Sequence, residues 1–197
     1  MNTVLGAKSY AGFKKALASS GCTDCGLSKG RTQIVVDRGN PEASVLFVGE
    51  APGRNEDLQG KAFVGRSGRL LDAMLSALSF NTDRDALVAN IVKCRPPANR
   101  APFPEETQTC LPFLRKQIEL VRPAWIVLLG ATALRRMIPE KRTFSMKREA
   151  GNFFEHEHYP GVRLFVLYHP AYILRDGRKK PLMEKHLKKF VESWRAG

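Results

Sequence analysis

The hydrophobic pattern of the chain alternates between two periods. "SVLFVGE" (44 to 50), "ALVANIV" (86 to 92), "WIVLLGA" (125 to 131) and "RLFVLYH" (163 to 169) are short, β-branched and apolar nearly throughout, as strands covered on both faces must be. Between them the spacing becomes helical. Leu70, Leu71, Met74, Leu75 and Leu78 form one stripe, and Leu111, Leu114, Ile118 and Val121 form another that Pro123 stops. The second stripe belongs to a helix opening near Pro104, Thr132 is placed to cap a short helix through Met137, and Leu182, Met183, Leu187, Phe190, Val191 and Trp194 mark a closing amphipathic helix. This alternation predicts a three-layer α/β sandwich, with a four-stranded, mainly parallel sheet flanked by helices. No repeat or low-complexity linker interrupts the 197 residues, so one domain over 1–197 is expected, with a core that buries about 70% of the unfolded surface.

That architecture directs attention to the strand ends, because ligands of open α/β sheets bind outside the carboxyl ends of the strands. The ends carry Gly49-Glu50-Ala51-Pro52-Gly53, Asn90, Gly130 and His169-Pro170. A carboxylate, an amide and an imidazole are thus expected to share one crevice. His156 and His158, in "NFFEHEHYPG", read as a solvated hairpin, and His186 as a surface residue of the basic final helix.

Charge indicates the class of partner. The net charge is +13, and residues 141 to 197 hold 13 Lys and Arg against 6 Asp and Glu. A polyanion, and nucleic acid before others, is the natural partner. The longest mainly apolar stretch, Trp125 to Leu134, is too short to cross a bilayer, and "MNTVLGAKSY" lacks the charged region and apolar run of a secretory signal. A cytoplasmic protein that does not enter membranes is expected.

The glycines exclude two cofactor classes. "GEAPG" is not the dinucleotide fingerprint, and Gly53 is separated from Gly60-Lys61 by six residues, which departs from a phosphate-binding loop. No nucleotide cofactor is expected. Gly49 and Gly53 still allow the backbone to approach a flat ligand closely.

Four cysteines remain. Cys22-x2-Cys25 precedes the first strand, which is the wrong context for a thioredoxin-like redox pair, and 15 residues separate Cys94 from Cys110. Four thiolates from two distant segments could enclose one metal centre, and the spacing fits zinc and an iron-sulfur cluster equally. Lys93, Arg95 and Arg100 would help to offset the charge of thiolate-bound metal.

"GEAPGRNED", "GKAFVGRSGRLLD", "NIVKCRPPANRAP", "EETQTCLPFL" and "HPAYILR", in this order and register with the cysteines, resemble the type-4, iron-sulfur uracil-DNA glycosylases from Cys22 to about Arg175. The resemblance implies removal of uracil from single- or double-stranded DNA without lyase chemistry; a monomer is expected. It implies a four-iron four-sulfur cluster on Cys22, Cys25, Cys94 and Cys110. Gly49, Glu50 and Ala51 would lie against uracil, Phe63 would stack on it, Asn90 would bind its edge and His169 would sit at O2. Glu50, or failing that Glu56, would position water or stabilise the sugar cation. Ile173, Leu174 and Arg175 are candidates to hold open the gap left by the extruded base, with Lys179 and Lys180 on phosphate. Ala62 stands where the family usually has proline and Ser67 where it usually has alanine. A DNA-binding or docking module that keeps the fold without turnover is the rival reading, and a zinc-bound structural domain a weaker one.

Overall fold

Each of the four apolar runs forms a strand in the computed structural model of the chain, which describes residues 2–141 and 143–197. Six strands, β1 (Arg38–Gly39), β2 (Val45–Gly49), β3 (Ala86–Asn90), β4 (Trp125–Leu129), β5 (Phe153–Phe154) and β6 (Arg163–Leu167), build one sheet in the order β1-β3-β2-β4-β6-β5. β3, β2, β4 and β6 are parallel, with Gly49 opposite Asn90 and Leu129 opposite Leu167. β1 and β5 pair antiparallel at the two edges. The hydrophobic pattern does not reveal these two-residue strands, and they take the sheet from four strands to six. They also cover edges that would otherwise be open to another chain.

The four long strands end one or two residues earlier than the apolar runs do. Glu50, Ile91, Gly130 and Tyr168 therefore already belong to the connections that leave the sheet.

Successive residues point to opposite faces. Leu46, Val48, Leu87, Ala89, Ile126, Leu128, Leu164 and Val166 face one layer, with Phe13, Phe113, Leu114 and Leu134. Val45, Phe47, Val88, Trp125, Val127, Phe165 and Leu167 face the other, with Leu71, Leu75, Met183, Leu187 and Phe190. Burying one such side chain contributes roughly 1.5–3 kcal/mol. Helix Arg66–Ser76 buries Leu71, Met74 and Leu75 as its stripe requires. Helix Pro104–Val121 is turned slightly from its expected face: Cys110, Phe113, Leu114 and Gln117 are inside, and Leu111, Ile118 and Val121 pack at the margin. In helix Lys180–Arg195 the outlier is Leu182, which is 37% exposed beside the crevice.

His156 and His158 lie in the hairpin between β5 and β6, and both reach Glu140, at 3.3 Å and 2.9 Å. His156 Nδ1 also accepts the His158 backbone N–H at 3.2 Å, which keeps the ring proton on Nε2 facing the carboxylate. His186 departs from its expected surface position. It is half-buried, because its ring stacks on Tyr168 with centroids 6.4 Å apart.

Candidate functional site

The loops that leave the parallel strands line a crevice of about 940 Å³, and Glu50, Ala51, Phe63, Asn90 and His169 all open onto it. The carboxylate, amide and imidazole of the strand ends therefore do meet. Asn90, the last residue of β3, is 1% exposed, and among the described residues neither its Oδ1 nor its Nδ2 has a hydrogen-bond partner. A buried polar group left unpaired costs on the order of 1–3 kcal/mol. An unpaired acceptor beside an unpaired donor fits a ligand edge that offers the complementary pair.

Phe63 lies next to this amide. Its backbone takes φ of 54°, in the left-handed region that bulky side chains avoid, and its surroundings hold it there. Arg38 donates to the Phe63 carbonyl at 2.9 Å while paired through two nitrogens with Asp72, at 3.0 Å and 2.6 Å. Gly68 has no Cβ to collide with that same carbonyl. On the other side a Cβ on Gly49 would come within 2.5 Å of both Asn90 Oδ1 and the Phe63 ring. Glycine at 49 thus gives room first to the two neighbouring side chains.

The His169 ring stands 5.8 Å from that of Phe63, tilted by 39°. Its Nδ1 accepts the Ala171 N–H at 3.1 Å, so the proton of the neutral ring belongs on Nε2. Burial, and then Arg175, pull its pKa down to about 4. At neutral pH it is an uncharged donor.

Thr132 does not cap its helix. Helix Gly130–Met137 opens two residues before it with Leu129 at the cap position, and the Thr132 hydroxyl donates to the Glu50 carboxylate instead. Glu56 also lines the crevice, but its oxygens accept backbone N–H groups, Gly53 at 3.1 Å and Gly65 at 2.6 Å. It holds together the two loops that frame the opening.

The rim is cationic. Arg54, Arg66, Lys147, Arg175 and Lys179 line the crevice, together with Arg100, which is paired through two nitrogens with Glu106 at 2.8 Å and 2.7 Å; the carboxylates in the lining are those of Glu50 and Glu56. Lys180 instead faces Glu184 at 3.7 Å. Of the two apolar wedge candidates, Ile173 is 3% exposed and part of the core, whereas Leu174 is 40% exposed. Sequence reasoning gave Arg54, Arg66 and Lys147 no role, because they come from three separate helices and only the net charge signals them.

The four cysteines are free thiols around one small cavity, together with Leu17, Ile34 and Phe113. Arg31 donates to Cys94 Sγ at 3.3 Å and to the Cys22 carbonyl at 2.6 Å, and the Lys93 backbone N–H donates to Cys110 Sγ at 3.3 Å. Burial pushes the Cys110 thiol up to about 12 and raises those of Cys94 and Cys22. Among the described residues, the one set of three Cys, His, Asp or Glu ligand atoms all within 4.8 Å of one another is that of Glu140, His156 and His158. The cysteine sulfurs are therefore spread more widely than the roughly 3.8 Å that bonds of about 2.3 Å to a single tetrahedral zinc would require.

Lys93 is not the surface cation its position beside Cys94 suggests. It is 1% exposed, and its ammonium donates to Gln117 Oε1, to the Asn90 carbonyl at 2.9 Å and to the Val36 carbonyl at 3.5 Å. Gln117 in turn donates to the Tyr10 hydroxyl at 2.9 Å, and Tyr10 donates to buried Asp37 at 2.7 Å.

Fold and site define an open-sheet α/β domain whose crevice brings together a buried, unpaired amide, an aromatic ring and an imidazole under a cationic rim. The family model of the uracil DNA glycosylase superfamily matches residues 36–195. The type-4 uracil-DNA glycosylase of Thermotoga maritima is 43% identical over 79% of both chains, and that of Archaeoglobus fulgidus 38% identical over 87% of both. A type-5 uracil-DNA glycosylase of Pyrobaculum aerophilum is 31% identical over 68% of this chain and 63% of its own. The chain belongs to the uracil DNA glycosylase superfamily, in its type-4 family.

Proposed function

We infer that this protein is a monofunctional uracil-DNA glycosylase, which hydrolyses the N-glycosidic bond of uracil in single- or double-stranded DNA and so begins base excision repair. The observation that carries this reading is the buried, unpaired amide of Asn90 beside Phe63. Asn90 Oδ1 would accept from uracil N3–H while Nδ2 donates to O4, with Phe63 on the face of the ring. Cytosine offers an acceptor at N3 and a donor at N4, so the same amide would leave both groups unmet. Discrimination on the order of a thousandfold or more is within reach of such a site.

In the reaction, water adds to C1′ as the bond to N1 breaks. The bonding electron pair leaves with uracil, and the proton from water balances the uracil anion. His169 Nε2–H would donate to O2 as negative charge develops there, joined by backbone N–H groups of the Glu50–Ala51 turn. Glu50, held by Thr132, would orient water or face the sugar cation. The basic rim would grip phosphates, and Leu174, exposed but outside the crevice lining, or Leu182, exposed within it, would fill the gap left by the base.

The donor set fits a thiolate-bound centre, with N–H groups aimed at Cys94 and Cys110 and sulfurs set wider than one zinc requires. Cys22, Cys25, Cys94 and Cys110 would hold a four-iron four-sulfur cluster. Once bound, it supplies a cross-link that pins the segment after Asn90 to the N-terminal loop. No helix among the described residues is long and apolar enough to cross a membrane. The reading takes the protein as a cytoplasmic monomer working as one domain over residues 1–197.

The test uses oligonucleotides with one deoxyuridine, single-stranded and duplex, followed by alkali. Strand cleavage is expected for both. No cleavage across a range of salt and pH would overturn the reading. Iron and sulfide measured on an anaerobic preparation check the cluster.

A further inference from the structure

Lys93 is a fully buried cation that the reaction described above does not use. Its ammonium lies behind the Asn90 main chain and donates to the Asn90 carbonyl at 2.9 Å, with further bonds to Gln117 and Val36. Its backbone N–H donates to Cys110 Sγ at 3.3 Å. One residue thus touches both the support of the candidate base reader and the cysteine pocket. A satisfied core lysine would need only acceptors of some kind. This one spends a bond on the residue whose side chain is left unpaired in the crevice.

We propose that Lys93 is a positioning residue for base recognition. By fixing the Asn90 carbonyl from behind, it sets the depth and tilt at which the Asn90 amide meets the base. The Asn90 peptide closes β3 opposite Gly49, and two residues later the chain turns toward Cys94. The peptide that follows Asn90 is held on its N–H side by Ile91, which donates to the Gly49 carbonyl at 2.9 Å, and on its carbonyl side by Lys93. Gln117, fixed through Tyr10 and Asp37, holds the ammonium in turn, so the anchor rests on a chain of four side chains, of which Lys93, Gln117 and Asp37 are buried and Tyr10 is half-buried. The proposal rests on the glycosylase reading, and it concerns how the amide is held rather than the chemistry at C1′.

Lys93→Met keeps an unbranched side chain, one atom shorter, and removes the donor. A misplacement of the amide by a fraction of an ångström is expected to lower kcat/KM for a deoxyuridine oligonucleotide about 10- to 100-fold. Placed on Asn90→Ala, the same change should add less than about twofold, because the group it positions is already gone. Affinity for an abasic-site duplex, which has no base for Asn90 to bind, should stay within about twofold, and the visible absorbance of the metal centre should not change. If Lys93→Met folds poorly, the pair Lys93→Met with Gln117→Leu removes donor and acceptor together and keeps the core apolar; the same outcomes are expected on that background. Loss that multiplies with Asn90→Ala, loss of abasic-DNA affinity in parallel, or full activity of the Lys93 variant would each overturn the positioning role. Failure of the unsubstituted protein to release uracil would overturn the glycosylase reading, and the proposal with it.

Discussion

Gly49→Ala is the smallest substitution that should close the base slot. Gly49 does not have positive φ, so alanine brings no backbone strain and acts by volume alone. The added Cβ would stand 2.5 Å from Asn90 Oδ1 and from two atoms of the Phe63 ring, where ordinary contact begins at 3.4 Å. Amide and ring must therefore retreat by about 0.9 Å, and both border the crevice. A displacement near 1 Å at a reacting constellation costs about 100-fold, equivalent to about 2.7 kcal/mol of transition-state stabilisation. Overpacking of a closed core would cost about 1–3 kcal/mol of stability, but the crevice is open, so the melting temperature should fall only slightly. The assay is single-turnover release of uracil from a deoxyuridine oligonucleotide, with a thermal melt of the same preparation. Activity within threefold of the unsubstituted protein would refute the argument that Gly49 makes room for the reader.

Three further outcomes are expected. The His169 pKa, depressed to about 4 from an ordinary 6.5, means that the group contributes stability above pH 6.5 and loses it as pH falls toward 4. That contribution is at most about 3 kcal/mol, so His169→Asn should reduce the drop in melting temperature between pH 7 and pH 4.5, whereas an unchanged drop would exclude the shift. Thr132→Val removes the donor to Glu50 and should cut turnover about tenfold with little change in melting temperature; equal activity would show that Glu50 needs no such hold. Cys110→Ser removes a buried sulfur that accepts the Lys93 N–H, and should lower bound iron and the melting temperature together, as read by metal analysis and calorimetry.

The parts of this molecule that could be read in the sequence share a physical cause. Strands buried on both faces must be continuously apolar, so the four parallel strands and the residues at their ends stood out, and with them Glu50, Asn90 and His169. The edge strands are two residues long and have no period to detect. Thr132 has the chemistry of a helix cap, and only the fold shows a carboxylate close enough to engage its hydroxyl. Lys93 looks like any lysine beside a cysteine until Val36, Asn90 and Gln117, from three separate segments, close around it. Ile173 and Leu174 are equally apolar, and which of them enters the core depends on how the short helix Pro170–Arg175 lies against helix Arg66–Ser76.

The match to the superfamily begins at residue 36, yet the wall behind Asn90 does not. Tyr10, half-buried, completes the chain from Asp37 to Lys93, while Cys22 and Cys25 close half of the thiol pocket. The segment before the matched span thus acts as a clasp on the wall behind Asn90. A truncation made at the family boundary would keep every residue of the crevice, yet it would remove the support that holds Asn90 from behind.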